Sequence, residues 1–450
     1  MVTRLACVAV LCGFLYGYNE AVVGGAYDLL EAYFVFPPYW RGILVAALPL
    51  GGLVGAFLCA HLSDAYGRRS ALIISGLLFV LGSLLSGLAL ELYLLSCARL
   101  LVGIAIGISS LAALQYLAEI SPPKARGRLL AAFQLLVSLG ILSAYLSEAL
   151  INRVPLTGDP FNHWQLLYLM SGIAAVAMLA GSLASLESPR WLAMVGKAGH
   201  AEATFIKLEP TQTPDWAIRQ VKLLRQDAIA TQEKRGWREL LSANMRPITG
   251  FALMCFLLQQ LSGVYVLLFY APSILEEFGL PESSVHTLTT LGFAAALILG
   301  SALSVFLIDR IGRRPLMVMG YPCCAATLLL IIWGMDMPAP DGIWITLTGI
   351  FLFVVNFAFS IGPLPWVYMA ELFPSHLRAK GMALAVSLNW ILTFLAVFAF
   401  PKIYQFVSVN QILLFFVVTS FFGAVYMVRK APETNTLTLE NIQQLFKKHQ

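Results

Sequence analysis

Charge is what this sequence has least of. Only 12% of its 450 residues are Asp, Glu, Lys or Arg, against 59% hydrophobic residues, and the mean hydropathy is +0.79. A water-soluble domain of this composition could not cover its surface with polar side chains, so the chain is expected in lipid. The seven cysteines (Cys7, Cys12, Cys59, Cys97, Cys255, Cys323 and Cys324) fall inside apolar runs without metal-ligand spacing and read as buried thiols. The six histidines (His61, His163, His200, His286, His376 and His449) are scattered over loops and helix ends. None stands near a Ser, Cys or acid arrangement suited to nucleophilic or metal chemistry, so no catalytic residue, no metal site and no bound cofactor is expected. No Asn-X-Ser/Thr sequon marks a loop for glycosylation.

What the chain has in abundance is long apolar runs. A membrane-spanning helix needs about 20 mainly apolar residues, and twelve such runs begin near Arg4, Gly42, Ser70, Tyr93, Leu129, Trp164, Arg246, Thr287, Leu316, Gly342, Gly381 and Ser408. The first carries Gly17, Gly24 and Gly25 and lacks a small-residue cleavage pattern, so it is expected to be the first helix rather than a removed leader. Of the 29 Lys and Arg, Arg41, Arg153 and Lys402 fall in one set of loops, Arg99 falls inside the membrane, and the rest lie on the other side. Cytoplasmic loops hold the excess of basic residues, which places both termini and the polar 192–245 stretch in the cytoplasm of a cell bounded by a plasma or bacterial inner membrane. The net charge of +5 follows from that topology and implies no nucleic-acid partner.

The polar stretch divides the chain into 1–191, a linker 192–245, 246–430 and a short tail 431–450. Short signals recur across the divide. Asp64-Ala-Tyr-Gly67-Arg68-Arg69 is matched by Asp309-Arg-Ile-Gly312-Arg313-Arg314; Glu119 and Arg126 by Glu371 and Arg378; Glu187-Ser-Pro-Arg190-Trp191 by Pro432-Glu433-Thr434. The offsets of 245, 252 and 246 residues indicate two parallel, pseudo-symmetric six-helix bundles with a site between them. Acids and guanidiniums at facing helix ends can pair when that side closes and rehydrate when it opens, a gate; basic turns alone could equally serve orientation. In the linker, Lys197–Lys207 and Asp215–Arg238 have helix-compatible spacing and are expected to form short amphipathic helices that meet lipid head groups or cap the gate.

Inside the spans the polar residues are few and, Arg99 and Glu20 apart, uncharged. Gln134 lies in the fifth, Gln259 and Gln260 in the seventh, Trp366 in the tenth, and Asn389 with Trp390 in the eleventh. Buried amides are costly unless paired. They can bridge neighbouring helices, or offer the donors and acceptors a ring of hydroxyls needs, with indoles as flat apolar faces. Gly263 and Pro272 in the seventh span, and Gly362, Pro363 and Pro365 in the tenth, weaken helical continuity beside them.

The segments Gln259-Gln260-Leu-Ser-Gly263-Val-Tyr265-Val-Leu-Leu-Phe269-Tyr270-Ala-Pro272 and Gly362-Pro-Leu-Pro-Trp366 leading into Glu371-Leu-Phe-Pro-Ser-His-Leu-Arg378, with Glu187-Ser-Pro-Arg190-Trp191 and Pro432-Glu433-Thr434, resemble the sugar porter family of the major facilitator superfamily over essentially the whole chain. The resemblance implies an all-α membrane protein of twelve helices in two bundles with a hexose-type site lined by Tyr16, Gln134, Gln259, Gln260, Trp366, Asn389 and Trp390, with Tyr265 and Phe269 beside them. It implies a small-molecule sugar or polyol and membrane lipids as partners, and no obligate protein partner. Tyr265 stands where the family usually has Asn, and Phe269 opens what is usually a tyrosine pair, which should shrink the cavity and disfavour glucose.

Proton-coupled members carry an Asp in the first helix near the arginine matched by Arg99. This chain reads Tyr16-Gly17-Tyr18-Asn19, and an amide cannot shuttle a proton, so facilitated diffusion is expected. Glu20 lies about 100° round the helix from Asn19, and symport stays open should it reach Arg99. A sugar sensor on the same fold would need an appended partner-binding region; the 18 residues after Pro432, with a short helix expected over 437–446, disfavour it.

Overall fold

The computed structural model describes residues 2–34, 36–37, 39–151, 162–230, 236–264, 288–403 and 406–435, with isolated positions between 267 and 285 and at 437 and 442. Six long helices come first: α1 (Val2–Phe34), α2 (Tyr39–Tyr66), α3 (Arg68–Gly87), α4 (Leu92–Ile120), α5 (Arg126–Ile151) and α6 (His163–Leu183). Three short ones follow in the linker region: α7 (Pro189–Met194), α8 (Ala198–Leu208) and α9 (Pro214–Ala230). The second half holds α10 (Arg246–Gln260), α11 (Phe293–Ile311), α12 (Arg313–Met335), α13 (Asp341–Phe359), α14 (Leu364–Leu372), α15 (Arg378–Ile403) and α16 (Val409–Lys430). Among the described residues eleven helical stretches are long and apolar enough to cross a membrane. The seventh expected run is represented by α10, and Tyr265, Phe269, Pro272 and most of the 437–446 tail lie outside the described residues.

Two expectations shift at the linker. The helix expected to reach Arg238 is described as far as Ala230, and Arg238 falls in a separate 3-10 turn, Trp237–Leu241, behind the extended backbone of Gly236. The boundary expected at 191/192 cuts through α7. Ser188 caps that helix by accepting from the Trp191 N–H at 3.3 Å, and Pro189 opens it with a φ already suited to a helix.

Burial divides the helices by role. In α4 every residue from Val102 to Ile120 except Ile104 is buried, as expected of a helix apolar all round and enclosed by its neighbours. Peripheral helices instead keep large side chains such as Ile173, Phe306, Phe415 and Phe421 exposed, the surface that faces lipid. Without a hydrophobic drive between helices in lipid, close packing needs small residues. Gly51 and Gly55 meet Gly103 and Gly107 where α2 crosses α4, and Gly13 and Gly17 let α1 approach the α5 backbone. The two halves touch chiefly where α15 runs along α2 and α11 along α5.

Candidate functional site

On the face that carries the linker, each half builds the same cluster. Arg68 Nη2 donates to Glu119 Oε1 at 2.8 Å and Arg68 Nη1 to the Ser63 carbonyl; Ser188 Oγ reaches Glu119 Oε2, and Tyr116 OH the Leu186 carbonyl at 2.6 Å. The second half repeats this atom for atom. Arg313 Nη2 donates to Glu371 Oε1 at 3.1 Å, Arg313 Nη1 to the Ile308 carbonyl, Thr434 Oγ1 to Glu371 Oε2 at 2.6 Å, and Tyr368 OH to the Pro432 carbonyl at 2.8 Å. Among the described residues, Glu187 and Glu433 form no ion pair with the arginine side chains of the cluster. They cap α3 and α12, accepting from the backbone N–H of Arg68 and Arg69, and of Arg313 and Arg314. A carboxylate there also opposes the positive end of the helix dipole. The N-cap residue of each helix, Gly67 (φ 95°) and Gly312 (φ 100°), occupies left-handed backbone with the carboxylate against it, where a side chain would collide. Burial pushes the Glu187 carboxyl above its ordinary range, against the pull of the Ser188, Arg69 and Arg68 N–H groups and the Arg68 charge.

Among the described residues these contacts join the halves across this face. Arg378 Nη1 lies 3.3 Å from Glu119 Oε1, both side chains fully buried, so one carboxylate serves a guanidinium from each bundle. Lys380 Nζ meets Asp64 Oδ2 at 2.6 Å. The Arg128 N–H donates to Asp309 Oδ2 at 2.9 Å beside Gly127, which lies against Arg313 and Asp309. Arg126 Nη1 donates to the Leu437 carbonyl at 3.1 Å. The linker face is therefore closed. Arg190 sits in α7 at its edge, and Arg69 and Arg314 turn their guanidiniums to carbonyls of α6 and α16. Lys380, Tyr116 and Tyr368 were not singled out from sequence, and Ser188 and Thr434 entered only as members of the motifs around Glu187 and Glu433; the last four stand at the same 246 and 252 offsets that exposed the acids. A cavity of about 720 Å³ lies on this face, lined by His61, Asp64, Trp191, Trp237, His376 and Lys380 among others, and apart from the glutamines.

Deeper in the membrane the amides and indoles occur where the bundles meet. Tyr16 of α1 and Trp390 of α15 meet with ring centroids 5.6 Å apart and planes tilted by 42°, and Phe133 of α5 approaches Trp366 of α14 at 6.5 Å. Gln260 Nε2 donates to Asn389 Oδ1 at 2.7 Å and Thr393 Oγ1 at 3.0 Å. Its Oε1 and the Trp390 Nε1 are buried without a hydrogen-bond partner among the described residues. One turn beyond Gln134, Ser138 Oγ meets Ser301 Oγ of α11 at 2.9 Å, a buried bond between the halves. Gln259 Nε2 bonds the carbonyls of Ile361 and Gly362 at 2.9 and 2.7 Å. Both helices break there: α10 ends at Gln260 with Gly263 at φ 93°, and α13 ends at Phe359, with Gly362 and Pro363 bridging to α14 and Pro365 in its first turn.

The charged residues of the first bundle are arranged separately. Asn19 Nδ2 donates to the Leu15 carbonyl of its own helix at 2.9 Å. Arg99, 3% exposed, donates from Nε to the Leu44 carbonyl at 2.8 Å and lies 5.9 Å from the Tyr168 ring centroid. Glu20 forms no ion pair with Arg99; it lies within electrostatic reach of Tyr145, as does Glu148, whose carboxylate rests on Gly25.

The family model described as "Sugar (and other) transporter" matches residues 5–446. This chain belongs to that family. An arabinose-proton symporter of Bacillus subtilis is 28% identical over 99% of this chain and 95% of its own length. A galactose-proton symporter of Escherichia coli is 30% identical over 85% and 81%. Among solved structures, the proton:xylose symporter XylE bound to 6-bromo-6-deoxy-D-glucose superposes with a TM-score of 0.89 at 24% identity over 99% of both chains. The inward-open xylose transporter from E. coli gives 0.73 at 23% identity, covering 99% of this chain and all of the other. The fold is that of the major facilitator transporters, an integral membrane protein of the sugar porter family. Within that frame, replacing Gln260 by Ala removes a side chain that both braces Asn389 and holds an unsatisfied acceptor, and is expected to weaken sugar binding about tenfold. Ligand-induced thermal shifts against pentoses and hexoses measure this; an unchanged affinity would remove Gln260 from the site.

Proposed function

We propose that this chain carries a monosaccharide, a pentose or hexose, across a plasma or bacterial inner membrane by alternating access, with the linker face and both termini cytoplasmic. The observation that carries the reading is the pairing of two features. Bonds between the bundles shut one face, while amides and indoles with unused hydrogen-bonding capacity occupy the bundle interface deeper in the membrane. Tyr16, Gln134, Gln259, Gln260, Trp366, Asn389 and Trp390 hold the sugar, the amides reading hydroxyls and the indoles covering the C–H face. The gate is Glu119 with Arg68 and Arg378, Asp64 with Lys380, and Asp309 with the start of α5; opening it exchanges these partners for water. Counterflow of labelled arabinose, xylose, galactose and glucose in proteoliposomes tests transport. Absence of counterflow for every pentose and hexose would overturn it.

Coupling follows from the first bundle. Asn19 cannot exchange a proton and spends its donor on its own helix, and Arg99 is held by Leu44 and Tyr168 rather than by an acid. Facilitated diffusion is the reading these contacts favour. Proton symport is the second reading, supported by the relatives named as symporters and by Glu20, a membrane carboxyl without an ion pair among the described residues. An imposed pH gradient is expected not to drive uphill accumulation. Accumulation that vanishes in Glu20→Gln would establish the symporter.

A further inference from the structure

The tenth span cannot close its own hydrogen-bond ladder. In an α-helix the carbonyl of Ile361 would accept from the N–H four residues on, but that residue is Pro365, which has none. Gly362 turns back on Phe357, its N–H bonding that carbonyl at 2.7 Å, and Leu364 bonds Ser360 at 3.2 Å. A main-chain carbonyl left unpaired inside a membrane costs as much as a lost hydrogen bond. Gln259, on α10, supplies the missing donor: its two amide hydrogens go to Ile361 and Gly362. The assignment of nitrogen and oxygen is fixed by chemistry, since flipping the amide would set oxygen against two carbonyl oxygens.

We infer that Gln259 is a positioning residue with a one-way hydrogen-bond polarity: its nitrogen holds the break of the tenth span, so only its oxygen can meet a sugar, and that sugar must donate a hydroxyl. Gln259 Oε1 accepts no bond from the described residues. The break it holds leads directly into α14, which carries Trp366 beside the site and ends with Glu371 in the gate. Nine helical residues span about 13 Å as a short rigid rod. A hydroxyl drawn to Gln259 is thus one side chain removed from the pivot of the segment that bears Glu371. Gln260 differs in that its donors go to side chains of α15, so it braces the neighbouring helix and leaves the break alone.

The sugar half of this inference rests on the transport reading above; the backbone half does not. Hydrogen exchange on the full chain without sugar is expected to quicken about tenfold at the 357–366 amides in Gln259→Met, from the loss of donors to the break, and to stay at the wild-type rate there in Gln260→Met. Equal protection of that segment in Gln259→Met overturns the positioning role. In wild-type protein, D-xylose and D-glucose are compared with their monodeoxy and monodeoxyfluoro derivatives. At one ring position fluorine, which cannot donate, should weaken binding as much as hydrogen does, about tenfold, and the penalty should disappear in Gln259→Met. Fluorine tolerated at every position overturns the polarity. Failure of D-xylose and D-glucose to bind moves the comparison to the derivatives of whichever pentose or hexose shows counterflow; failure of every one strikes the transport reading, and the exchange experiment then decides the role of Gln259 by itself.

Discussion

Replacing Glu119 by Ala is expected to cost about 3–5 kcal/mol of stability, the figure for removing one partner of a buried charge pair and leaving the other uncompensated. The reason lies in its partners. Arg68 and Arg378, both 0% exposed as side chains, share one carboxylate oxygen at 2.8 and 3.3 Å, and Ser188 occupies the other. Without Glu119 two guanidiniums from different bundles face each other in a buried setting. Part of the cost is recovered by separating them, so the linker face should open as well as the fold weaken. Glu371→Ala should cost less, because Arg313 keeps Asp309 at 3.0 Å. Asp64→Asn should change stability by only about 0–1 kcal/mol, since that pair is partly solvated. Thermal unfolding gives the ranking, and spin-label distances across the linker face give the opening. A Glu119→Ala protein as stable as wild type would show the shared carboxylate to be dispensable.

Gly52→Ala is expected to favour the linker-face-open state about tenfold and to slow net transport to match. A Cβ at position 52 would lie 2.6 Å from Trp390 Cε2 and 2.7 Å from Cδ2, too close for carbon atoms. Such overpacking costs typically about 1–3 kcal/mol, and about 1.4 kcal/mol is tenfold in an equilibrium. The clash sits between α2 of one bundle and α15 of the other, beside the Tyr16–Trp390 ring contact, so it exists only while the bundles are together. Trimming the indole in the same background, Trp390→Leu with Gly52→Ala, should return the spin-label distances toward the closed value even though sugar binding suffers. If Gly52→Ala leaves the distances unchanged, the indole has room to move and the contact does not govern closure.

Much of the site was legible because its chemistry is conspicuous in an apolar chain. Amides and indoles inside spans stand out against lipid-compatible residues, and the acids that terminate helices stand out by repeating at 245, 246 and 252 residues. Their partners were not legible. Glu119 sits seven residues before Arg126, yet its ion pairs are with Arg68 and Arg378, one 51 positions back and one 259 positions on. Asp64 pairs with Lys380, two residues after Arg378 and just before the expected start of the eleventh run at Gly381, where no partner was read. Glu20 was weighed as a partner for Arg99, but the two form no ion pair, and the arginine is held by the Leu44 carbonyl and lies over the Tyr168 ring.

Composition, the length of apolar runs and the repeated motifs determined that this protein lives in a membrane, that it is built of helices and that it is doubled, and they marked which polar residues fall inside the apolar runs, because those properties follow from lengths and from the cost of polarity in lipid. Only the tertiary structure decided which face is closed, which carboxylate joins the bundles, and that Gln259 repairs a proline break on another helix. Those are facts about distance between segments far apart in the chain, and local pattern carries no information about which helix end will meet which.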